Sequence, residues 1–323
     1  MKLKNKLQRD PSGVSSLLVI AVIAVLIVAA AAAYVVLSDK GNNNQVLRGP
    51  DWAPGTSLDY DIKVDGAKVG VANEVLVGQN ADEYFIKTET TFSSGPTAGV
   101  TSTTYALSSK NVEDAERIGT EEIDTMDGRK MLEVWQYAVG SETAKVYGDP
   151  ANGLIYRYET ALSKEVAGVA PAGSTMVMDL TKYTLLSQES YVESESIGKT
   201  YVYAYTVVGL ALRGEVVCVA DCLNGQYGIL LDSVGINGES DISYFLSDYK
   251  EGLPKDAVKA DGNASLETID GTKTVDMWKL SGADKETVFY VDPISNIIYG
   301  FDVIADSPEG KVTMQFKLVE KPL

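Results

Sequence analysis

Shifted by 143 residues, the sequence falls back onto itself without a gap from Gly55 to Ala161. Asp127-Gly128 lands on Asp270-Gly271, Lys130 on Lys273, Trp135 on Trp278 and Tyr147 on Tyr290. Asp149-Pro150 lands on Asp292-Pro293, and Ile155-Tyr156 on Ile298-Tyr299. With Gly119/Gly262 and Thr125/Thr268 this makes eleven identities in 38 positions, some in types as scarce as Trp. Upstream, Gly55, Tyr60, Gly66, Tyr84 and Ile86 meet Gly198, Tyr203, Gly209, Tyr227 and Ile229. Self-similarity at a fixed period marks a duplicated structural unit. Whatever one copy folds into, the other is expected to repeat, with residues 55–190 as the first copy and 191–323 as the second.

Each copy reads as strands. Leu58–Val64 (LDYDIKV) and Tyr201–Val207 (YVYAYTV) alternate with period two and are rich in Tyr and β-branched residues. Val69–Val77, Glu83–Thr91, Thr101–Leu107, Val216–Ala220 and Tyr227–Leu231 continue the pattern, and Arg129–Tyr137 and Thr272–Leu280 form the clearest repeated pair. Helical spacing after Leu37 is confined to short stretches at Asn111–Arg117 and Ser240–Lys250. Asp127-Gly128 and Asp270-Gly271 fall between strands, where a type I′ hairpin turn is expected. The Asp149-Pro150 and Asp292-Pro293 segments end in Gly153 and Asn296, residues that accept the left-handed conformation, and read as turns. The expected class is mainly β: two tandem homologous antiparallel β-meander domains after one N-terminal transmembrane helix.

That helix is Leu17–Leu37, 21 consecutive apolar residues, long enough at 1.5 Å per residue to cross about 30 Å of hydrocarbon. Lys2, Lys4, Lys6 and Arg9 stand in residues 1–16 against the single acid Asp10, which places the amino end in the cytoplasm and the rest outside the cell membrane. A cleaved secretory signal is the rival reading, with Ala29–Ala33 offering small residues for cleavage. Residues 38–54, rich in Asn, Gly and Pro, read as a tether.

Charge and residue usage narrow the chemistry. The chain has 45 acidic and 28 basic residues, a formal charge of −17 that repels phosphate backbones, so no nucleic-acid partner is expected. Histidine is absent, which removes Ser-His-Asp and Cys-His catalysis and histidine metal sites. No cofactor or metal set is expected. Cys218 and Cys222, spaced C-x3-C, are a candidate disulfide only if the chain turns at Ala220–Asn224, since an extended strand holds such residues about 13 Å apart. Otherwise they are a buried thiol and a loop thiol. Asn263-Ala-Ser265 is a glycosylation sequon in a Gly/Asp-rich segment read as a turn. Trp135 and Trp278 read as core residues, with a ligand-facing role as the alternative.

Two resemblances bear on function. The basic leader, Gly13 and the apolar helix that follows are similar to the start of archaeal surface proteins and pilin-like subunits, which implies cleavage near Gly13 and a filament core. Tyr147–Tyr156 (YGDPANGLIY) and Tyr290–Tyr299 (YVDPISNIIY) resemble a turn of lipoprotein-carrier half-barrels, which implies a curved, half-barrel-like sheet able to hold a lipid or other apolar ligand. The expected role is a membrane-anchored binding or structural surface protein without catalysis, in contact with an apolar ligand or another envelope protein. A filament subunit and a glycan-active enzyme using two carboxylates are the alternatives.

Overall fold

The computed structural model describes residues 52–322 apart from 97, 110, 113–114, 140–141, 150, 167, 188–190, 208–209, 235–239, 283–284 and 308–309, together with 36–37 and 47–48. Most of the expected membrane segment, residues 17–35, lies outside the described residues. Its last two residues, Val36–Leu37, pair antiparallel with Leu47–Arg48. Among the described residues no helix is long and apolar enough to cross a membrane.

The protein is mainly β, and its sheet pairings are antiparallel. In chain order, nine strands come first: β1 Ser57–Val64, β2 Ala67–Gln79, β3 Glu83–Phe92, β4 Thr101–Ser109, β5 Glu116–Thr125, β6 Gly128–Val139, β7 Glu142–Gly148, β8 Ile155–Ala161 and β9 Thr175–Thr184. Nine more follow: β10 Thr200–Val207, β11 Leu210–Cys222, β12 Tyr227–Val234, β13 Ser240–Ser247, β14 Val258–Thr268, β15 Gly271–Ser281, β16 Lys285–Val291, β17 Ile298–Ser307 and β18 Gly310–Glu320. The first set pairs in the order β4-β3-β2-β1-β9-β8-β7-β6-β5. The second pairs in the order β13-β12-β11-β10-β18-β17-β16-β15-β14. Strand for strand the two orders are the same: in each the first strand is hydrogen-bonded to the last, and β4 with β5 and β13 with β14 are neighbours too, so the strands close as a barrel and the expected half-barrel is corrected. By compactness the chain divides into 1–76 with 86–189, and 77–85 with 190–323.

The repeated motifs are turns, and their bonds repeat too. In β5–β6, Thr125 Oγ1 donates to the Gly128 carbonyl at 2.6 Å and accepts from the Asp127 N–H. In β14–β15, Thr268 Oγ1 does the same toward Gly271 and Asp270. Positive φ occurs at Gly128 (94°) and Gly271 (86°) but not at Asp127 or Asp270. The expected type I′ turn is therefore corrected: these are tight turns whose left-handed residue is the glycine that follows them, the arrangement of a three-residue hairpin with a glycine bulge. At the Asp-Pro turns, Asp149 Oδ1 accepts from the Ala151 N–H and Asp292 Oδ1 from the Ile294 N–H, while Gly153 and Asn296 take φ of 73° and 60°.

Both short helical expectations are overturned. Ser240–Ser247 is β13, and Asn111–Val112 and Glu116–Thr125 are extended. Every residue of β13 is in ladder register with one on β12, and this long-range pairing outweighs a weak local spacing.

Candidate functional site

Strand register decides which side chains share a face. In β1, Leu58, Tyr60, Ile62 and Val64 are buried and alternate with half-buried neighbours. Leu58 stands opposite Glu74 and Tyr60 opposite Ala72 on β2, while Met178 on β9 lies opposite both Ile62 and Tyr158 of β8. Val146 on β7 continues the row from Tyr158 to Trp135, and Ala144 faces Tyr137. One continuous face of the first sheet thus carries Glu74, Tyr60, Tyr158, Tyr137 and Trp135, all buried.

Glu74 is the anomaly on that face. It has no exposure to solvent, and both carboxyl oxygens lack a hydrogen-bond partner among the described residues. An ionised carboxylate in such surroundings costs far more than a neutral one, so the group keeps its proton instead. Burial pushes the Glu74 carboxyl up to about 8. Tyr137 is raised by its own burial and then by the Glu74 charge, and Tyr158 by burial, by Tyr60 and by Glu74, so all of these groups are neighbours electrostatically. The Tyr60 and Tyr158 rings meet edge to face at 5.7 Å. The arrangement is a buried acid, held neutral, on one sheet face with Tyr137 and Tyr158, and such an acid can donate a proton near neutral pH.

The second sheet repeats the frame without the acid. Tyr201, the repeat position of Leu58, faces Val216 where Leu58 faces Glu74. Around it Tyr203 meets Phe301 edge to face at 5.3 Å, and Phe301 stacks on Phe316 at 4.3 Å. Of the buried acids here, Asp276, Asp292 and Glu251, the last sits in the connection after β13, and its own backbone amide and the charges of Lys250 and Lys199 partly offset the burial that raises it.

The residues singled out in the sequence fall as follows. Trp135 is 4% exposed and its indole N–H has no partner among the described residues, whereas Trp278 is half-buried, edge-on to Tyr249 at 6.4 Å. Cys218 and Cys222 are free thiols: β11 stays extended through Cys222 and the chain turns only at Leu223–Gly225, after both. Asn263 is exposed but lies within β14, beside Gly262 at a bulge in the pairing with β15, not in a turn. Asp127 and Asp270 accept bonds from Tyr156 and Tyr299. Among the described residues no group of three His, Cys, Asp or Glu is placed to hold a metal ion.

Glu74 escaped the sequence reading because β2 misleads. Val69, Val71, Val75 and Val77 share one parity, which looks like the core face. The structure buries Gly70, Ala72, Glu74 and Leu76 and leaves Val71 42% exposed. Small residues are needed there: a Cβ on Gly70 would lie 2.6 Å from the Thr91 carbonyl oxygen and 3.1 Å from the Phe92 ring. An acid flanked by Gly, Ala and Leu at period two was the available signal.

No family model matches the chain, and no curated protein matches it. Among solved structures, kievitone hydratase from Nectria haematococca is similar at 8% identity, over 83% of this chain and 90% of that chain, with a TM-score of 0.19. The expectation of a protein without catalysis is corrected to this extent: it finds no support here, and one solved chain among those that match is named as an enzyme. At that TM-score the likeness carries no argument about chemistry, which must come from the Glu74 face itself.

Proposed function

We propose that the chain is an enzyme that moves protons on a small, largely apolar molecule, with Glu74 as the acid. The observation that carries this is the fully buried Glu74 carboxyl, unpartnered among the described residues and set against Tyr158 and Tyr137. An acid poised near the working pH can give up a proton and take one back without metal or redox partner, and a buried apolar wall selects an apolar substrate. Two carboxylates flanking one bond, as glycan hydrolysis uses, find no support on this face, where Glu74 is the one buried acid among the described residues.

The finer architecture belongs to the same reading: two tandem homologous meander domains, of which the first carries the chemistry. The apolar run 17–37 is taken as the anchor, with the domains outside the cell membrane.

The test is deuterium uptake from D2O into a panel of apolar ketones and enones, followed by NMR with the full chain in detergent. Wild type is expected to exchange at least one compound, and Glu74→Gln to do so at least about 100-fold more slowly. Equal rates in the two proteins would remove Glu74 from the chemistry.

A further inference from the structure

We infer that the second barrel, β10–β18, takes a small neutral aromatic ligand at the end marked by the β10–β11 and β17–β18 turns, against Phe316, Met314, Val303, Leu280 and Leu231. The site is separate from the Glu74 face and does not depend on the role given to that residue.

The starting point is a set of inward side chains that are not buried. Register fixes the inner face: Tyr205 stands opposite Leu212 and Phe316, Phe316 opposite Phe301, and Phe301 opposite Phe289. Toward one end this face is closed, with Tyr203, Leu318, Val216 and Ile229 buried. Toward the other, Phe316, Met314, Val303, Leu280 and Leu231 are each partly exposed. Val312, opposite Ala305 and further along the same row, is 51% exposed. A side chain that points into a closed ring of strands reaches solvent through the lumen, so the lumen is open at this end.

The first barrel shows what the second lacks. Met176 lies opposite Thr160, as Met314 lies opposite Val303 at the repeat position of Thr160, and both Met176 and Thr160 are buried. Tyr137 is buried where Leu280, opposite Thr287, is not. The difference follows from the connection between the last two strands. In the first copy it is residues 162–174, whose Leu162, Val166 and Ala170 are buried, with a bridge between the last two. It meets the β3–β4 turn so closely that a Cβ on Gly168 would lie 2.8 Å from Gly95 Cα. In the second copy the same connection is residues 308–309, and Ser307 pairs directly with Gly310. The frame is repeated and its cap is not.

The lining sets the ligand. Phe316 stacks on Phe301 at 4.3 Å and meets Tyr205 at 4.5 Å, a tier of rings against which one more flat ring packs well. Met314 supplies an adaptable apolar neighbour. The inward charges favour neither sign. Lys259, opposite Trp278, is paired with Asp276, while Lys285 and Asp241 stand at the rim in register with Ala305 and Ser233. An ion carried down to the rings would lose its water without gaining a partner there, and a neutral ring would not.

The experiment is NMR of the full chain in lipid nanodiscs, labelled at the methionine methyls. It is titrated with coumarin, a neutral flat bicycle, and separately with decanoate as an acyl-chain probe. Coumarin is expected to shift the Met314 methyl saturably and to leave Met176 and Met178, in the capped barrel, unmoved. Ala305→Trp, which plugs the open end, should weaken coumarin at least about 10-fold, and Phe316→Leu, which keeps apolar bulk without the ring, at least about 5-fold. Met277, opposite Tyr290 on the outer face of β15, reports in each variant that the second barrel is folded. A Met314 methyl that coumarin does not move would overturn the proposal, as would equal shifts at Met176 or binding indifferent to Ala305→Trp. Saturation by decanoate without binding of coumarin would overturn the aromatic assignment. Deuterium exchange and this titration read different barrels, so the failure of one is not the failure of the other.

Discussion

The Tyr299 hydroxyl lies 2.5 Å from the Asp270 carboxylate, and 143 residues earlier Tyr156 makes the same bond to Asp127. Each ties the end of an Asp-Pro turn to a hairpin turn brought near it by the meander. In the first copy Tyr183 adds a second hydroxyl to Asp127, and Lys130 joins Asp149 at 3.0 Å while lying over the Tyr156 ring. In the second, Lys321 joins Tyr299 on Asp270.

Removing one hydroxyl measures this tie. Tyr156→Phe leaves the ring packed and deletes a bond to a charged acceptor, so it should cost about 1–2 kcal/mol in chemical denaturation. The Lys321 and Tyr299 partners hold Asp270 below its usual carboxylate value. Its contribution is therefore present above the unfolded value and lost as the pH falls through the lower folded one. The acid limb of the stability profile should soften in Asp270→Asn, as read by the denaturation midpoint between pH 2 and 5.

Glu74 has the opposite sign. Below about pH 4.5 its carboxyl is protonated both folded and unfolded. From there to about 8 only the unfolded chain releases the proton, so stability falls by about 1.4 kcal/mol per pH unit from this group alone, and the fall ends once the folded form ionises too. Glu74→Leu should flatten that slope and be more stable than wild type by a few kcal/mol, roughly, at pH 8. Denaturant midpoints of both proteins at pH 5, 6.5 and 8 check it.

Gly252 has a φ of 89°, and a Cβ there would lie 2.6 Å from Val216 Cγ1, itself buried. Gly252→Ala should cost about 2–4 kcal/mol through strain and overpacking together. Adding Val216→Ala relieves the steric part alone, so the double variant should lose less than the sum of the two single ones.

Burial, with lesser contributions from Asp221 and Glu251, pushes the Cys218 thiol up to about 12. The thiolate is the reactive form, so iodoacetamide at pH 8 should leave native Cys218 unmodified and label both cysteines after denaturation. The mass of the denatured, unreduced product should show two added groups, the outcome that free thiols require.

The meander was readable in the sequence because its marks are local: alternating Tyr and β-branched residues set the strands, and the Asp-Gly and Asp-Pro segments announced the turns in both copies. What stayed hidden was the choice of face. Four valines on β2 pointed one way, and the need for Gly70 to clear Thr91 and Phe92 pointed the other, a matter of long-range packing that no window of β2 contains. Trp135 and Trp278 show the same limit. They are identical by repeat, yet Trp135 is enclosed beside Val146 and Trp278 is half-buried beside Phe289.

The bonding of β1 to β9, and of β10 to β18, sets a timetable for synthesis. Each sheet keeps an open seam until its final strand has left the ribosome, roughly a hundred residues after its first, so a nascent copy must wait with a bare strand edge exposed. The first copy can zip shut while the second is still being made, and a chain stopped before Gly310–Glu320 would carry one finished sheet and one left unstitched at its centre.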